Sequence, residues 1–456
     1  MKDLAIVGSG PGGYVAAIRA AQLGMAVTLI EEEETLGGVC LNWGCIPSKA
    51  LLRNAEVLHL VREADRFGIS RGEVVADFDA AIGRSREVVG KLVQGVAFLM
   101  RKNGVEVVSG RARLLSEQTL EVTPSGQQVA ASQIIIATGA RPKTIPGLAP
   151  DGKSVFTSRE ALELRQLPKS CVIVGGGAIG AEFAYIYSSY GVRVTVVEAL
   201  SRLLPQEDLD VSRELTRQFE RQKIELRTGS LIQRSERTGE GWRLVLESGD
   251  AVEGEMVLTA TGVAANLENL GLEELGVAVA GGFIKVDDHQ RTNIPGVFAI
   301  GDVNGPPLLA HAASAEGVIA VETAAGREVK PLDPIQVPRC TYCQPQVAST
   351  GLTEEQAKAQ GHQVRIGKFP FSASGKAIAM GETVGFIKTV VDAETGRLLG
   401  THAIGAEVTE LLPEMVMAAW VGVKAEQFEA LVHAHPTLSE SLKEAALAAE
   451  GLAIHI

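Results

Sequence analysis

The strongest constraint on this chain is that one short pattern occurs in it twice. Near the start, the apolar run Leu4-Ala-Ile-Val7 leads into Gly8-Ser-Gly10-Pro-Gly-Gly13, then an alanine-rich segment, Gly24 and a second apolar run ending at Glu31. Far downstream, Cys171-Val-Ile-Val174 leads into Gly175-Gly-Gly177-Ala-Ile-Gly180, a helical segment containing Glu182, Gly191, and Arg193-Val-Thr-Val-Val197 ending at Glu198. The first glycine and the acid are 23 residues apart in both copies. Each copy closes on a related tail, Ile134-Ile-Ile-Ala-Thr-Gly139 and Val257-Leu-Thr-Ala-Thr-Gly262. A G-x-G-x-x-G that follows a strand, opens a helix and precedes an acid about 20 residues on is the context of a dinucleotide fingerprint. The glycines let backbone approach a pyrophosphate, the helix N-terminus faces its charge, and the acid accepts hydrogen bonds from ribose hydroxyls. A tight turn without a ligand is the plainer reading of either copy, and the duplicated context weighs against it. Two sites imply two dinucleotides. Glu198 repels a ribose 2′-phosphate, so the second site is expected to prefer NAD over NADP, with Arg202 nearby as the one counter-signal.

The predicted fold is therefore α/β, with two Rossmann-like dinucleotide-binding domains plus a C-terminal α+β domain. At roughly 150 residues per domain, 456 residues suit about three domains. Expected bounds are 1-144 with 265-334 for the first, 145-264 for the second and 335-456 for the third. A breaker-rich stretch from Pro142 to Gly152 marks one boundary. Two helical stretches, 48–67 and 77–103, read as an insertion packing on the first module. Glycine, 50 residues, is about 11% of the chain against an average near 7%. A net charge of −12 gives no electrostatic basis for holding nucleic acid or anionic lipid. No run of about 18 residues is apolar and uncharged, so no membrane span is expected. Five cysteines do not make an extracellular disulfide framework, which favours a cytoplasmic location.

Cys40-Leu-Asn-Trp-Gly-Cys45-Ile-Pro-Ser-Lys49 follows the first module closely. Two thiols at a helix start can close a short disulfide and store two electrons, and a helix N-terminus lowers a thiolate pKa. Two reduced core cysteines remain the alternative.

Gly37-Gly-Val-Cys40 to Lys49, both fingerprints, Thr292 to Val303 and His433-Ala-His435-Pro-Thr-Leu-Ser-Glu440 together resemble the flavoprotein disulfide reductases, and among them the branch that oxidises dihydrolipoyl groups with NAD⁺. The likeness runs almost end to end. It implies FAD at the first fingerprint (Gly8, Gly10, Gly13, Glu31, with Gly139), NAD at the second (Gly175, Gly177, Gly180, Glu198, with Gly262), and a homodimer formed through the C-terminal domain. It implies Cys45 as the thiolate against the flavin, Cys40 as the thiol that exchanges with substrate, Lys49 near the flavin and paired with Glu182, and Asp302 on the ribityl chain. His435 would be the base from the partner subunit, oriented by Glu440. An imidazole of pKa near 6.5 suits deprotonation of a thiol of pKa near 8.5. Thr437-Leu-Ser-Glu440 also reads as a capping box, and one carboxylate serves both uses only if its two oxygens divide the work. The substrate would be a dihydrolipoyl group on a separate acyltransferase or carrier protein. Glutathione- or mercuric-type reductases of the same fold, and a flavin-bearing docking subunit without turnover, are the alternatives. A glutathione-type enzyme wants a basic residue where Glu198 stands, the mercuric type ends in a second cysteine pair, and a scaffold has no use for Cys40, Cys45, Lys49 and His435 together. Cys340-Thr-Tyr-Cys343 lacks a second ligand pair, so no metal is expected there, and both cysteines read as packing residues in a strand.

Overall fold

In the computed structural model, which describes residues 1–456, both copies of the pattern build the same strand–helix–strand unit. The first comprises strand Lys2–Val7, helix Pro11–Gln22 and strand Val27–Glu31; the second comprises Ser170–Val174, Ala178–Ser189 and Arg193–Val197. The strands of each pair run parallel, with Leu4 opposite Val27 and Cys171 opposite Val194. Leu4 to Val7 and Cys171 to Val174 are buried throughout, which is why they read as unbroken apolar runs rather than alternating ones.

Each unit grows into a larger sheet by the same plan. In the first, parallel strands run in the order Glu106–Ser109, Val27–Glu31, Lys2–Val7, Gln127–Ile136, with Val297–Ala299 also pairing to Gln127–Ile136, and an antiparallel meander adds Thr119–Thr123 and Arg111–Ser116. In the second, five parallel strands run Glu225–Arg227, Arg193–Val197, Ser170–Val174, Met256–Thr259, Val155–Thr157. A three-stranded antiparallel sheet, Ile232–Thr238, Gly241–Leu246 and Ala251–Gly254, accompanies it. Residues 335 onward form an antiparallel sheet of Arg339–Thr341, Gln346–Gly351, Leu398–Gly405, Gly385–Asp392 and Val364–Pro370. Helices Val408–Val421 and Glu440–Ala448 pack on it through Leu412, Met415, Leu442 and Ala445.

Backbone contacts group the chain into two units: Met1–Ala50, Ala80–Lys143 and Gly262–Pro334 in one, Leu51–Asp79, Thr144–Thr261 and Ile335–Ile456 in the other. The helical insertion, expected to pack wholly on the first module, is thus divided. Its stretch Leu51–Asp79 belongs with the second unit because Phe78 meets Tyr190 edge-on at 4.9 Å and the Arg62 guanidinium donates to the Ser189 carbonyl at 2.5 Å. The Cys340–Cys343 segment also departs from expectation. Cys340 lies in strand Arg339–Thr341, but Cys343 falls beyond its end, fully buried, with its thiol on the Pro345 carbonyl.

Within the second unit, one buried cation joins the second nucleotide module to the C-terminal sheet. Lys388 is 2% exposed, and its ammonium lies 2.8 Å from Glu354, 2.9 Å from Asp208 and 3.2 Å from Asp210. Asp208 also caps helix Leu209–Arg221. Burial would lower the Lys388 pKa, but the three carboxylates override it and hold the ammonium above its ordinary value. Removing the cation leaves Asp208 buried and uncompensated, so Lys388→Met is expected to cost about 3–5 kcal/mol in urea unfolding.

Candidate active site

The cysteine pair is seated directly on the first glycine turn. Gly38 opens the short helix Gly38–Trp43, and a Cβ there would lie 2.7 Å from the Cα of Gly10. The preceding Gly37 donates its N–H to the Ser9 carbonyl and hydroxyl at 3.1 and 3.0 Å. Gly44, where a Cβ would meet the Val39 carbonyl at 2.8 Å, ends this helix and lets Cys45 begin the next, Cys45–Arg62. Cys40 and Cys45 are both reduced, in side-chain hydrogen-bond contact. That hydrogen bond, burial and the charge of Cys45 push the Cys40 thiol far above its ordinary range, with Lys49 opposing. Cys40 is therefore held as the protonated thiol. Lys49 lies one turn after Cys45, on the same helix face.

Side chains that the sequence did not single out hold this segment. Asn42 donates to the Leu36 and Gly38 carbonyls at 3.2 and 3.0 Å and accepts from Thr35 at 2.9 Å. From helix Phe78–Lys102, Ser85 bonds the Pro47 carbonyl at 3.2 Å and Arg86 the Asn42 carbonyl at 2.8 Å. The contacts of Ser85 and Arg86 leave no local sequence signal, because their partners lie in other elements.

The glycines of each fingerprint divide by role, identically in the two copies. Gly8 and Gly175 sit at φ +101° and +113°. A Cβ on Gly13 or Gly180 would overlap the carbonyl of Gly8 or Gly175, so these glycines let helix and strand touch. Gly10 and Gly177 are different: φ is −60° and −75°, which any residue adopts, and a Cβ there would meet no protein atom within 4 Å. Glycine at these two positions serves space outside the chain, at a helix N-terminus, where a pyrophosphate fits. Gly139 and Gly262, both at positive φ and likewise open, lie at the ends of the closing tails. The acids point back at their own turns. Glu31 accepts from the Ser9 N–H and hydroxyl at 2.8 and 2.6 Å, and Glu198 from the Gly176 and Leu200 N–H groups at 2.5 and 2.7 Å. Arg202 is engaged with Glu355 at 2.9 Å. Asp302 sits in the turn Gly301–Val303, its carboxyl pKa raised by burial. Each cradle fits a dinucleotide.

In the second unit, His435 is 79% exposed and its Nδ1 lies 2.9 Å from Glu440 Oε1. Glu440 Oε2 accepts the Thr437 N–H at 2.8 Å. The two oxygens thus divide the work. Burial alone would raise the Glu440 pKa, but the Thr437 N–H and His435 override it and hold the carboxyl below its ordinary value. Only half of the expected capping box forms, since the Thr437 hydroxyl turns to the Ala434 carbonyl and Ser439 instead of closing onto the helix. His433 bonds Glu414 at 2.8 Å, tying the same loop to helix Val408–Val421. Glu182, 6% exposed, accepts the Tyr342 N–H at 3.0 Å. No group of three or more candidate ligands for a metal ion occurs.

Residues 2–317 match the pyridine nucleotide-disulphide oxidoreductase family, and residues 337–446 match its dimerisation domain. The chain belongs to the pyridine nucleotide-disulphide oxidoreductases. Enzymes of this family work with FAD and NAD(H), the pair of dinucleotides that two cradles call for. Among curated relatives, the dihydrolipoyl dehydrogenase of Chlorobaculum tepidum is 48% identical over 97% of this chain and 96% of its own. That of Bacillus subtilis is 45% identical over 99% of each. Among solved structures, LpdA of Mycobacterium tuberculosis superposes with a TM-score of 0.92 at 28% identity, covering 98% of this chain and 99% of its own. The HOCl-induced flavoprotein disulfide reductase RclA of Escherichia coli gives 0.88 at 27%, with the same coverage. No helix is long and apolar enough to cross a membrane.

The glycine roles are separable by experiment. Gly177→Ala is expected to leave unfolding within about 1 kcal/mol of wild type, the scale of an N-cap change, while weakening NADH binding at least tenfold by fluorescence titration. Gly180→Ala is expected to destabilise the chain outright, because its Cβ meets backbone.

Proposed function

We propose that the chain oxidises dihydrolipoyl groups with NAD⁺ through a Cys40–Cys45 disulfide and FAD, as a dihydrolipoyl dehydrogenase. The observation that carries this reading is the contact of Gly38 on Gly10, which seats the thiol pair at the turn that faces the first dinucleotide. The names of the full-length relatives supply the substrate. Residues 1-144 with 265-334 would hold FAD, 145-264 NAD and 335-456 the dimer contact, with Gly8, Gly10, Gly13, Glu31, Gly139 and Asp302 on FAD and Gly175, Gly177, Gly180, Glu198 and Gly262 on NAD.

In the forward direction, His435 of one subunit takes a proton from a dihydrolipoyl thiol at its Nε2 while Glu440 holds Nδ1 and balances the imidazolium charge. The resulting thiolate attacks Cys40 of the partner subunit, and the Cys40–Cys45 bond breaks with Cys45 leaving as thiolate. The imidazolium passes its proton to solvent, and His435 then takes the proton of the second lipoyl thiol; that sulfur attacks the first, the lipoyl disulfide leaves, and the Cys40 thiolate takes the proton from the imidazolium. Lys49 stabilises the Cys45 charge. Bound FAD supplies the two-electron link from the reduced pair to NAD⁺. The lipoyl group arrives on a separate acyltransferase or carrier protein.

The test is NADH appearance on mixing the purified yellow protein with dihydrolipoamide and NAD⁺. Rapid formation with NAD⁺, weak with NADP⁺ and abolished in Cys45→Ser is expected; no NADH from flavin-loaded dimer removes lipoamide as substrate. Glu440→Gln keeps an acceptor for the Thr437 N–H but removes the charge beside His435. It should lower turnover by roughly a hundredfold, within the usual range for impaired acid–base catalysis, with little change in melting temperature.

A further inference from the structure

The turn that presents Asp302 is held from behind by the Glu316 side chain. Glu316, 5% exposed on helix Ala310–Ala324, accepts the Gly301 N–H at 2.6 Å and the Asn304 amide at 3.2 Å on the same oxygen. Gly301 sits at φ +72°, so the turn needs both a glycine and a fixed N–H to keep its shape. Asn304 in turn reaches Gln290 at 2.8 Å and the Ala299 carbonyl at 3.2 Å, which ties the turn to the strand before it.

The helix that carries Glu316 is itself registered on the first fingerprint. A Cβ on Gly317 would lie 2.7 Å from the Gly12 carbonyl, one on Gly12 would lie 3.0 Å from the Ala313 carbonyl, and the Ser314 hydroxyl reaches the Pro11 carbonyl at 3.3 Å. One rigid element therefore fixes both the glycine turn and the Asp302 turn. A carboxyl this deeply buried costs several kcal/mol unless its environment uses it. Burial raises the pKa of both Asp302 and Glu316, and for Glu316 the neighbouring Asp302 charge adds to it. The two groups are thus within electrostatic reach, and neither serves the thiol chemistry.

We propose that Glu316 is a positioning residue for the flavin: by holding the Gly301 N–H it aims the Asp302 carboxyl at the hydroxylated chain of FAD. This rests on the FAD reading above. Glu316 touches no cofactor; it acts through Asp302.

The experiment follows FAD release from the holoenzyme dimer by flavin fluorescence, alongside tryptophan unfolding and the visible flavin spectrum, in Glu316→Ala, Glu316→Gln, Asp302→Asn and the Glu316→Ala/Asp302→Asn double variant. Glu316→Ala is expected to release FAD about ten- to hundredfold faster, the scale of losing a hydrogen bond to a charged acceptor, and well before the chain unfolds. Glu316→Gln, which keeps an oxygen for the Gly301 N–H, should recover most of that loss. Because one residue acts through the other, the double variant should release FAD no faster than the worse single variant, and its flavin spectrum should match that of Asp302→Asn. Effects that multiply in the double variant, or flavin release that only accompanies unfolding, would overturn the proposal and leave Glu316 a purely structural residue. If Glu316→Ala does not fold, Glu316→Asp withdraws the acceptor by one methylene and the same cycle decides in the same way. A wild-type chain that purifies without flavin overturns the functional reading itself, and this proposal with it.

Discussion

Everything at the site depends on how closely backbone can approach backbone at Gly10. Gly38 rests on it from one side, with no room for a side chain, while its other side is open for a ligand. Any Cβ on Gly38 would lift the thiol-bearing helix off the turn, and any on Gly10 would enter the space a pyrophosphate needs. A two-electron store is useful only within reach of the group that empties it, and this glycine contact is what sets that reach. The Gly37 N–H on Ser9, and Ser9 on Glu31, extend the same contact into a chain that runs from the thiol helix to the acid at the far strand end.

The duplicated module shows how one backbone solution serves two ends. Both copies share the strand–helix contact at Gly13 and Gly180 and the open positions at Gly10 and Gly177. They differ in what lies beside the turn. The first has Ser9, whose hydroxyl links Glu31 to the cysteine segment; the second has Gly176, where a Cβ would meet Leu203 at 2.8 Å and Glu198 at 3.1 Å. In the second copy the loop after Glu198 leads to Asp208 and so to the buried Lys388, which fastens this module to the C-terminal sheet. A buried ion pair is poor evidence of added stability, but three carboxylates on one ammonium specify a single arrangement of the elements that carry them.

Much of this was legible in the sequence, for physical reasons that differ by element. The fingerprints declare themselves because strand, turn and helix are contiguous and each glycine has a fixed backbone task. The pairing of His435 with Glu440 came from the family resemblance, and the capping-box pattern around Thr437 then set the condition that Glu440 split its oxygens. What could not be read is long-range. Ser85 and Arg86 hold the thiol helices across elements, Lys388 finds carboxylates more than 30 residues away, and Leu51–Asp79 leaves the module it was expected to cover because aromatic partners wait elsewhere. Cys343 escaped the strand assigned to it because Arg339–Thr341 ends early and its thiol is satisfied by a local carbonyl.

The central claim is that the second dinucleotide site and the Cys40–Cys45 pair exchange electrons within one protein. It is tested most directly by adding NADH anaerobically to the oxidised yellow protein, without lipoamide, and trapping new thiols with an alkylating reagent. The hydride and one proton convert the disulfide to two thiols, so the account predicts that each NADH consumed exposes two alkylatable sulfurs, mapped to Cys40 and Cys45, and none at Cys340 or Cys343. NADH consumption with no new thiols at Cys40 and Cys45 would contradict it.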